Sequence, residues 1–286
     1  MQLQPGSLPR SSAVPIEGSI ASIGARAARL LDQHAGWTVE AIFERSFYIR
    51  RGEEFICIGD ASIGDGPLNA KLTSGLTLPR VEIGMPVSVD ISTAEVWRMP
   101  PWAFTSSHVA VTALQDVINH TLHEAPPDSF VHAIFSTEQL ATTLARRARA
   151  GAHALRDGLK SGNPAKLNEA ASLLLGLGHG LTPSGDDVLS GALVTLFAIG
   201  DEANARALDR SISAHMSKAT SALSCAFLRA ACDGEPSAPT HQAINALLSG
   251  NTPSDIIAPI RTIGHSSGFD LLAGALIAAN RDTHKL

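Results

Sequence analysis

Gly176-Leu177-Gly178-His179-Gly180-Leu181-Thr182-Pro183-Ser184-Gly185-Asp186-Asp187 sits between two apolar stretches with helical spacing, Leu167 to Leu175 before it and Val188 to Ile199 after it. A loop this rich in glycine lets backbone N–H groups approach a ligand closely, and this one opens directly into a helix. Ser184 with Asp187 three residues on has the spacing of a capping box. Thr182-Pro183 is a competing start, with Thr as N-cap and Pro at the first helical position. Under either start, orphan N–H groups and the positive end of the helix dipole face the loop.

The pattern returns. Ser184-Gly-Asp-Asp187-Val-Leu189-Ser-Gly191-Ala192-Leu193 is echoed by Ser267-Gly-Phe-Asp270-Leu-Leu272-Ala-Gly274-Ala275-Leu276, identical at seven of ten positions. Gly178-His179 is echoed by Gly264-His265, although the second loop is three residues shorter. Gly191 and Gly274 fall inside the expected helices, where Gly costs about 1 kcal/mol against Ala. That cost predicts a close approach of helices, with the two copies as candidate neighbours. The alternative is two similar packed helices whose starts merely coincide.

Working outward, the chain changes texture once. Ile20, Ile23, Ala27, Leu30 and Leu31 suggest one face of a short helix. From Trp37 the spacing becomes alternating: Phe47-Tyr48-Ile49 and Phe55-Ile56-Cys57-Ile58 flank Arg51-Gly52-Glu53-Glu54 as a β-hairpin, and Val81 to Ile83 and Val87 to Ile91 suggest further strands. Met99-Pro100-Pro101-Trp102 is a natural boundary, because consecutive prolines continue neither a helix nor a central strand. Beyond it the spacing is helical to the end. Ser136 with Gln139 suggests a helix start, Asn163-Pro164 and Thr252-Pro253 two more, and Ala203 to Cys232 one long helix or two. Strands first and helices afterwards predict an α+β protein: a tail over residues 1–18, a β-rich domain over 19–101, and a larger all-helical domain over 102–286 with an internal helix repeat.

The composition narrows the function classes. The chain has 286 residues, 44% hydrophobic and 17% charged, with a net charge of -5. That balance fits a compact protein with large buried surfaces, in a homo-oligomer or with other subunits, and argues against nucleic acid as a partner. Cys57, Cys225 and Cys232 form no Cys-x-x-Cys pair and fit no disulfide framework. No signal core and no run of ~20 apolar residues is present, so the expectation is a cytoplasmic protein without a membrane partner. The arginines from Arg146 to Arg156 read as a solvated or subunit-facing stripe.

Three familiar site templates do not fit. Gly176-x-Gly178-x-Gly180 follows a helix, so it is a poor dinucleotide fingerprint; no Gly-Lys-Ser/Thr follows, so it is no P-loop; and no nucleophile elbow is present. What remains is an anion site at two Ser-Gly helix starts, where Gly185 and Gly268 carry no side chain to block approach. The substrate-binding candidates are Gly178, Gly180, Thr182, Ser184 and Gly185, with His265, Ser266, Ser267 and Gly268 from the echo. Gly66 and Asn69, in the Gly-rich run Cys57 to Asn69, are a third polar element or a plain turn cluster. Asp187 and Asp270 stand at capping-box positions and are expected to serve stability. Asp186, replaced by Phe269 in the echo, is expected to serve ligand or to bind Mg²⁺, which takes one or two carboxylates beside a phosphate, the alternative being a plain first-turn Asp favoured by the helix dipole.

The signature Gly-Leu-Gly-x-Gly-Leu-Thr-Pro-Ser-Gly-Asp-Asp resembles a bacterial family long described as a domain of unknown function, whose named member is a subunit of oxamate carbamoyltransferase from anaerobic allantoin degradation. The resemblance runs from about Ile20 to Ala279 and takes in the Cys57 to Asn69 run and the closing Ser267-Gly-x-Asp270. It implies a carbamoyl-transfer subunit that binds carbamoyl phosphate, a small carboxylate such as oxamate, or both, among other protein subunits. His179 is then the candidate base for the attacking amide nitrogen, since a helix N-terminus favours neutral imidazole, and His265 a substrate-orienting group. Two rival readings stand open: a non-catalytic anion-binding or scaffold subunit, and a Mg²⁺-dependent phosphate-ester enzyme using Asp186.

Overall fold

A computed structural model describes residues 14–16, 19–104, 111–137 and 139–280 of the chain, which divides into two compact units, Met1–Trp97 and Arg98–Leu286. The protein is α+β, with strands in the first unit and helices filling the second.

Among the described residues, the first unit holds an eight-stranded mixed sheet and one helix. Its elements are β1 (Val14–Ile16), β2 (Ile20–Gly24), α1 (Ala25–Gln33), β3 (Trp37–Ile42), β4 (Ser46–Arg51), β5 (Glu54–Gly59), β6 (Asn69–Leu72), β7 (Pro86–Val89) and β8 (Glu95–Trp97), in the sheet order β1-β7-β3-β4-β5-β6-β2-β8. The expected hairpin forms in the register Arg51↔Glu54, and Gly52, at φ 60°, supplies the positive φ of its two-residue turn. Phe55 to Ile58 is a continuous apolar run because both faces of β5 are covered.

Three readings shift here. Ile20 and Ile23 belong to β2, whose pairing with β6 and β8 claims them before the helix begins at Ala25. Val81 to Ile83 form no strand: the chain turns there, with Gly84 at φ 84° and its N–H donated to the Val39 carbonyl at 2.7 Å. Val14–Ile16, inside the expected tail, pair in parallel with β7, while residues 1–13 and 17–18 lie outside the described residues.

The second unit holds α2 (Val111–Glu124), α3 (Phe130–Phe135), α4 (Thr143–Ser161), α5 (Pro164–Leu174), α6 (Ser184–Ala198), α7 (Glu202–Ala219), α8 (Ala222–Cys232), α9 (Ala238–Leu248), α10 (Pro253–Ile260) and α11 (Ser267–Ala279). Caps explain most boundaries. Asn163 and Thr252 each precede a proline at the first helical position, and Thr252 with Asp255 makes a reciprocal capping box. Ser221 caps α8, so the stretch after Ala203 is two helices. The start expected at Ser136 and Gln139 moves to Thr142, whose hydroxyl accepts from the Ala145 N–H at 3.0 Å; Ser136 instead ends α3. Two of the stripe arginines are tied down: Arg147 donates to the Ser172 and Leu173 carbonyls near the end of α5, and Arg149 to those of Ala133 and Ser136 near the end of α3.

α6 and α11 are buried along most of their length and contribute to the helical core. They touch at their glycines. A Cβ on Gly191 would stand 1.9 Å from the Leu271 carbonyl oxygen, and one on Gly274 would stand 1.9 Å from that of Val188. The internal repeat extends to the helices before them. Leu177 donates to Leu174 and accepts from Gly185, at 2.9 and 2.8 Å; Ile263 donates to Ile260 and accepts from Gly268, at 3.0 and 3.1 Å. Helix, tight turn, loop and helix therefore recur as α5–α6 and α10–α11, with the same hydrogen-bond skeleton.

Candidate functional site

The starts of α6 and α11 lie together at one end of the helix pair. Thr182 Oγ1 is 3.5 Å from Ser267 Oγ, and each helix sends its carboxylate to the other helix's first residue: Asp187 faces the Ser267 hydroxyl and Asp270 the Ser184 hydroxyl. This crossed arrangement corrects the capping boxes read from the sequence. Neither α6 nor α11 has a side-chain cap, and α6 begins at Ser184 with Pro183 at the N-cap, one residue away from each of the two expected starts. The spacing Ser-x-x-Asp is present twice, but the close approach at Gly191 and Gly274 brings the first hydroxyl of the neighbouring helix within reach of each carboxylate.

Asp270 goes further. Its Oδ1 accepts from the Ser129 hydroxyl and the Phe130 N–H, both at 2.7 Å, so it closes the start of α3 from a different helix. Ser129 was not legible as a site residue, since nothing local couples it to a carboxylate 141 positions away. Only its own role as a helix start was readable, from Pro126-Pro127-Asp128 before it.

Asp186, the aspartate expected to serve ligand, is tied down, whereas Asp187 keeps an oxygen without a partner. Asp186, 1% exposed, accepts from the Gly176 N–H at 2.8 Å, from the Ser224 hydroxyl at 2.6 Å and from the Thr220 hydroxyl. It is a structural knot between the signature loop and the α7–α8 turn, not a free ligand for Mg²⁺. Burial raises its pKa, against the lowering effect of those three donors. Among the described residues no group of three or more His, Cys, Asp or Glu is placed to hold a metal. Asp187, by contrast, keeps Oδ2 buried and unpartnered, as does Asp270. Its pKa is raised well above 3.8, first by burial and then by the charge of Asp270, with the Ser267 hydroxyl opposing. Burial likewise raises Asp270, opposed by Ser129, Ser184, the Phe130 N–H and Ser266.

A carboxylate whose folded pKa is raised stabilises the fold below its unfolded pKa, and that contribution is lost as pH rises through the folded value. Asp187→Asn removes this loss. In EDTA, thermal melts of variant and wild type are expected to approach each other near pH 4 and to separate as pH rises, the variant melting higher. A gap that is constant with pH contradicts the raised Asp187.

The glycines divide into two kinds. Gly185 and Gly268 do not open the helix starts to a ligand: a Cβ there would lie 2.1 Å from the Leu174 carbonyl oxygen and 2.0 Å from that of Ile260, and their N–H groups are spent on Leu177 and Ile263. Gly178, at φ 124°, lies against the Ser184 nitrogen, and a Cβ there would stand 2.7 Å from it. Gly180 has φ 92° and open space where a side chain would be. His179 and Gly180 are exposed on the loop, whose Leu181 carbonyl accepts from Ser221. His265 is exposed and 3.3 Å from Asp128, beside Ser266 and Ser267 in sequence. Thr182, Ser184, Ser266, Ser267 and the two crossed aspartates are thus brought together, with the histidine-bearing loops next to them in the chain.

Residues 174–279 match the family model of the oxamate carbamoyltransferase subunit AllH. The match begins at the last residue of α5 and ends at the last of α11, so the AllH segment contains both helix starts and both crossed carboxylates. No solved structure matches the chain. Among the described residues no helix is long and apolar enough to cross a membrane. Gly66 and Asn69 lie in the first unit, before the AllH segment. There the Asn69 amide donates to the Gly64 carbonyl at 2.8 Å, and Asp65 holds Lys71 at 2.9 Å.

Proposed function

We propose that this chain is a subunit of a carbamoyl-transfer enzyme resembling oxamate carbamoyltransferase, and that a small anionic substrate is held where α6 and α11 start. The family supports the enzyme class. The observation that carries the site is the meeting of the two Ser-Gly starts, whose first N–H groups, on Ser184 and Ser267, have no intrahelical carbonyl to bond. A carboxylate or phosphate suits those groups, and the hydroxyls of Thr182, Ser184 and Ser267 add donors around it. In the transfer, an acceptor amide nitrogen attacks the carbamoyl carbon, the bond to phosphate oxygen breaks, and the nitrogen loses one proton. His179 is the proposed proton acceptor and His265 the group that orients substrate. Catalysis is then mainly positioning, with electrostatic stabilisation of the departing phosphate.

A second reading, a scaffold subunit whose chemistry sits on partner chains, is favoured by one observation: Gly176, Gly185 and Gly268 are used for packing against carbonyls. Calorimetric titration of the full chain with carbamoyl phosphate and with oxamate separates the two. The proposal expects binding of one or both, weakened about tenfold in Ser267→Ala, a change on the scale of one or two lost hydrogen bonds. Absence of binding to the correctly folded chain favours the scaffold.

A further inference from the structure

We infer that Asp187 and Asp270, with the hydroxyls of Ser184 and Ser267, form a binding site for one small divalent cation of the Mg²⁺ class. Two observations point to a missing positive charge. Asp270 is 0% exposed, yet its Oδ2 has no partner, and the Oδ2 of Asp187 is sealed in the same way. Among the described residues no Lys, Arg or His charge acts on either carboxylate; the charges felt by Asp187 are those of Asp270 and Asp186, both negative. Two buried carboxylates with free oxygens and no basic partner need a counter-ion, because an uncompensated buried charge costs several kcal/mol.

The donor set selects the ion. Carboxylate and hydroxyl oxygens are hard ligands, and neither Cys nor His stands among them, which favours Mg²⁺, Mn²⁺ or Ca²⁺ over Zn²⁺ or copper. The donors come in two equivalent pairs, each joining a carboxylate of one repeat to a hydroxyl of the other. Two carboxylates leave a Mg²⁺ ion with open positions, which water or a phosphate oxygen fills. The cation also resolves a conflict within the functional reading. Carboxylates at two helix starts repel an anionic substrate, whereas an ion held between them attracts it. That last role rests on the proposed function; the ion site itself does not.

The test uses the full chain stripped with EDTA and titrated with Mn²⁺ alone, read by electron paramagnetic resonance and calorimetry. One Mn²⁺ per chain is expected, displaced by Mg²⁺, with affinity at least about tenfold weaker in Asp187→Asn, which loses a charged ligand. Ser267→Ala, which keeps both carboxylates, is the second variant should Asp187→Asn not fold, and it is expected to weaken Mn²⁺ binding to a smaller degree. Wild-type protein that takes up no Mn²⁺, or variants that bind it as tightly as wild type, overturn the site and leave a shared proton as the counter-charge. Titration with carbamoyl phosphate, in excess Mg²⁺ and again in EDTA, keeps the two ideas apart. Mn²⁺ binding without carbamoyl phosphate binding supports the ion site and counts against the functional reading. Carbamoyl phosphate binding with no Mn²⁺ uptake overturns the ion site alone.

Discussion

Asp186→Ala is expected to cost about 3–5 kcal/mol of stability, measured by urea denaturation of the full chain. Three donors converge on this one carboxylate: the Gly176 N–H and the hydroxyls of Thr220 and Ser224. Removing it strands all three in or near the core, and each buried donor left unsatisfied costs about 1–3 kcal/mol. The sum is reduced because hydroxyls rotate to find other acceptors and water enters the space. Asp186→Asn should be milder, since its amide oxygen can still accept from Gly176 while the hydroxyls turn to accept from its NH₂ group. A loss below about 1 kcal/mol in the alanine variant contradicts the structural role.

Gly191→Ala and Gly274→Ala are expected to destabilise the protein although both replace a poor helix former with the best. Propensity alone predicts a gain of about 1 kcal/mol for each. Against it stands a backbone oxygen 1.9 Å from each new Cβ, Leu271 O in one case and Val188 O in the other. A carbonyl inside a helix cannot swing aside, so α6 and α11 must separate and their packed faces loosen. Overpacking commonly costs about 1–3 kcal/mol, and contact with backbone places these variants at the upper end. The double variant should lose less than the sum, because the first substitution has already spread the pair. Equal or higher stability of either single variant in denaturant melts contradicts the close approach. Spreading the pair also parts Ser184 from Asp270 and Ser267 from Asp187, so Mn²⁺ uptake should fall along with stability.

Much of this architecture was legible in the residues. The hairpin around Gly52 follows from two apolar runs and a turn, and the helix repeat from identity at Ser, Asp, Leu and Gly positions of equal spacing. Gly191 and Gly274 were correctly read as marks of close helix approach, because glycine in an apolar helix otherwise has only a cost. The site was legible as a place and not as a wiring. The spacing Ser184-x-x-Asp187 fits a carboxylate turned back on its own helix equally well as one turned across to a neighbour, and only tertiary packing decides. Asp186 looked available because its three donors come from Gly176, Thr220 and Ser224, up to 38 positions away. Gly185 and Gly268 looked like openings for a ligand, whereas the turn ending the preceding helix brings a carbonyl into that space. Ile20 and Ile23 suit a helix face or a strand, and the strand prevailed because β6 and β8 offered ladder partners.

In the proposed function the two helix starts face one ligand. Backbone amide NMR of the ¹⁵N-labelled chain during titration with carbamoyl phosphate in Mg²⁺ tests it most directly. The Ser184 and Ser267 amide resonances are expected to shift together with a single binding constant, although the two residues are 83 positions apart in the chain. Movement of only one of them, or shifts confined to residues outside both helix starts, would contradict it.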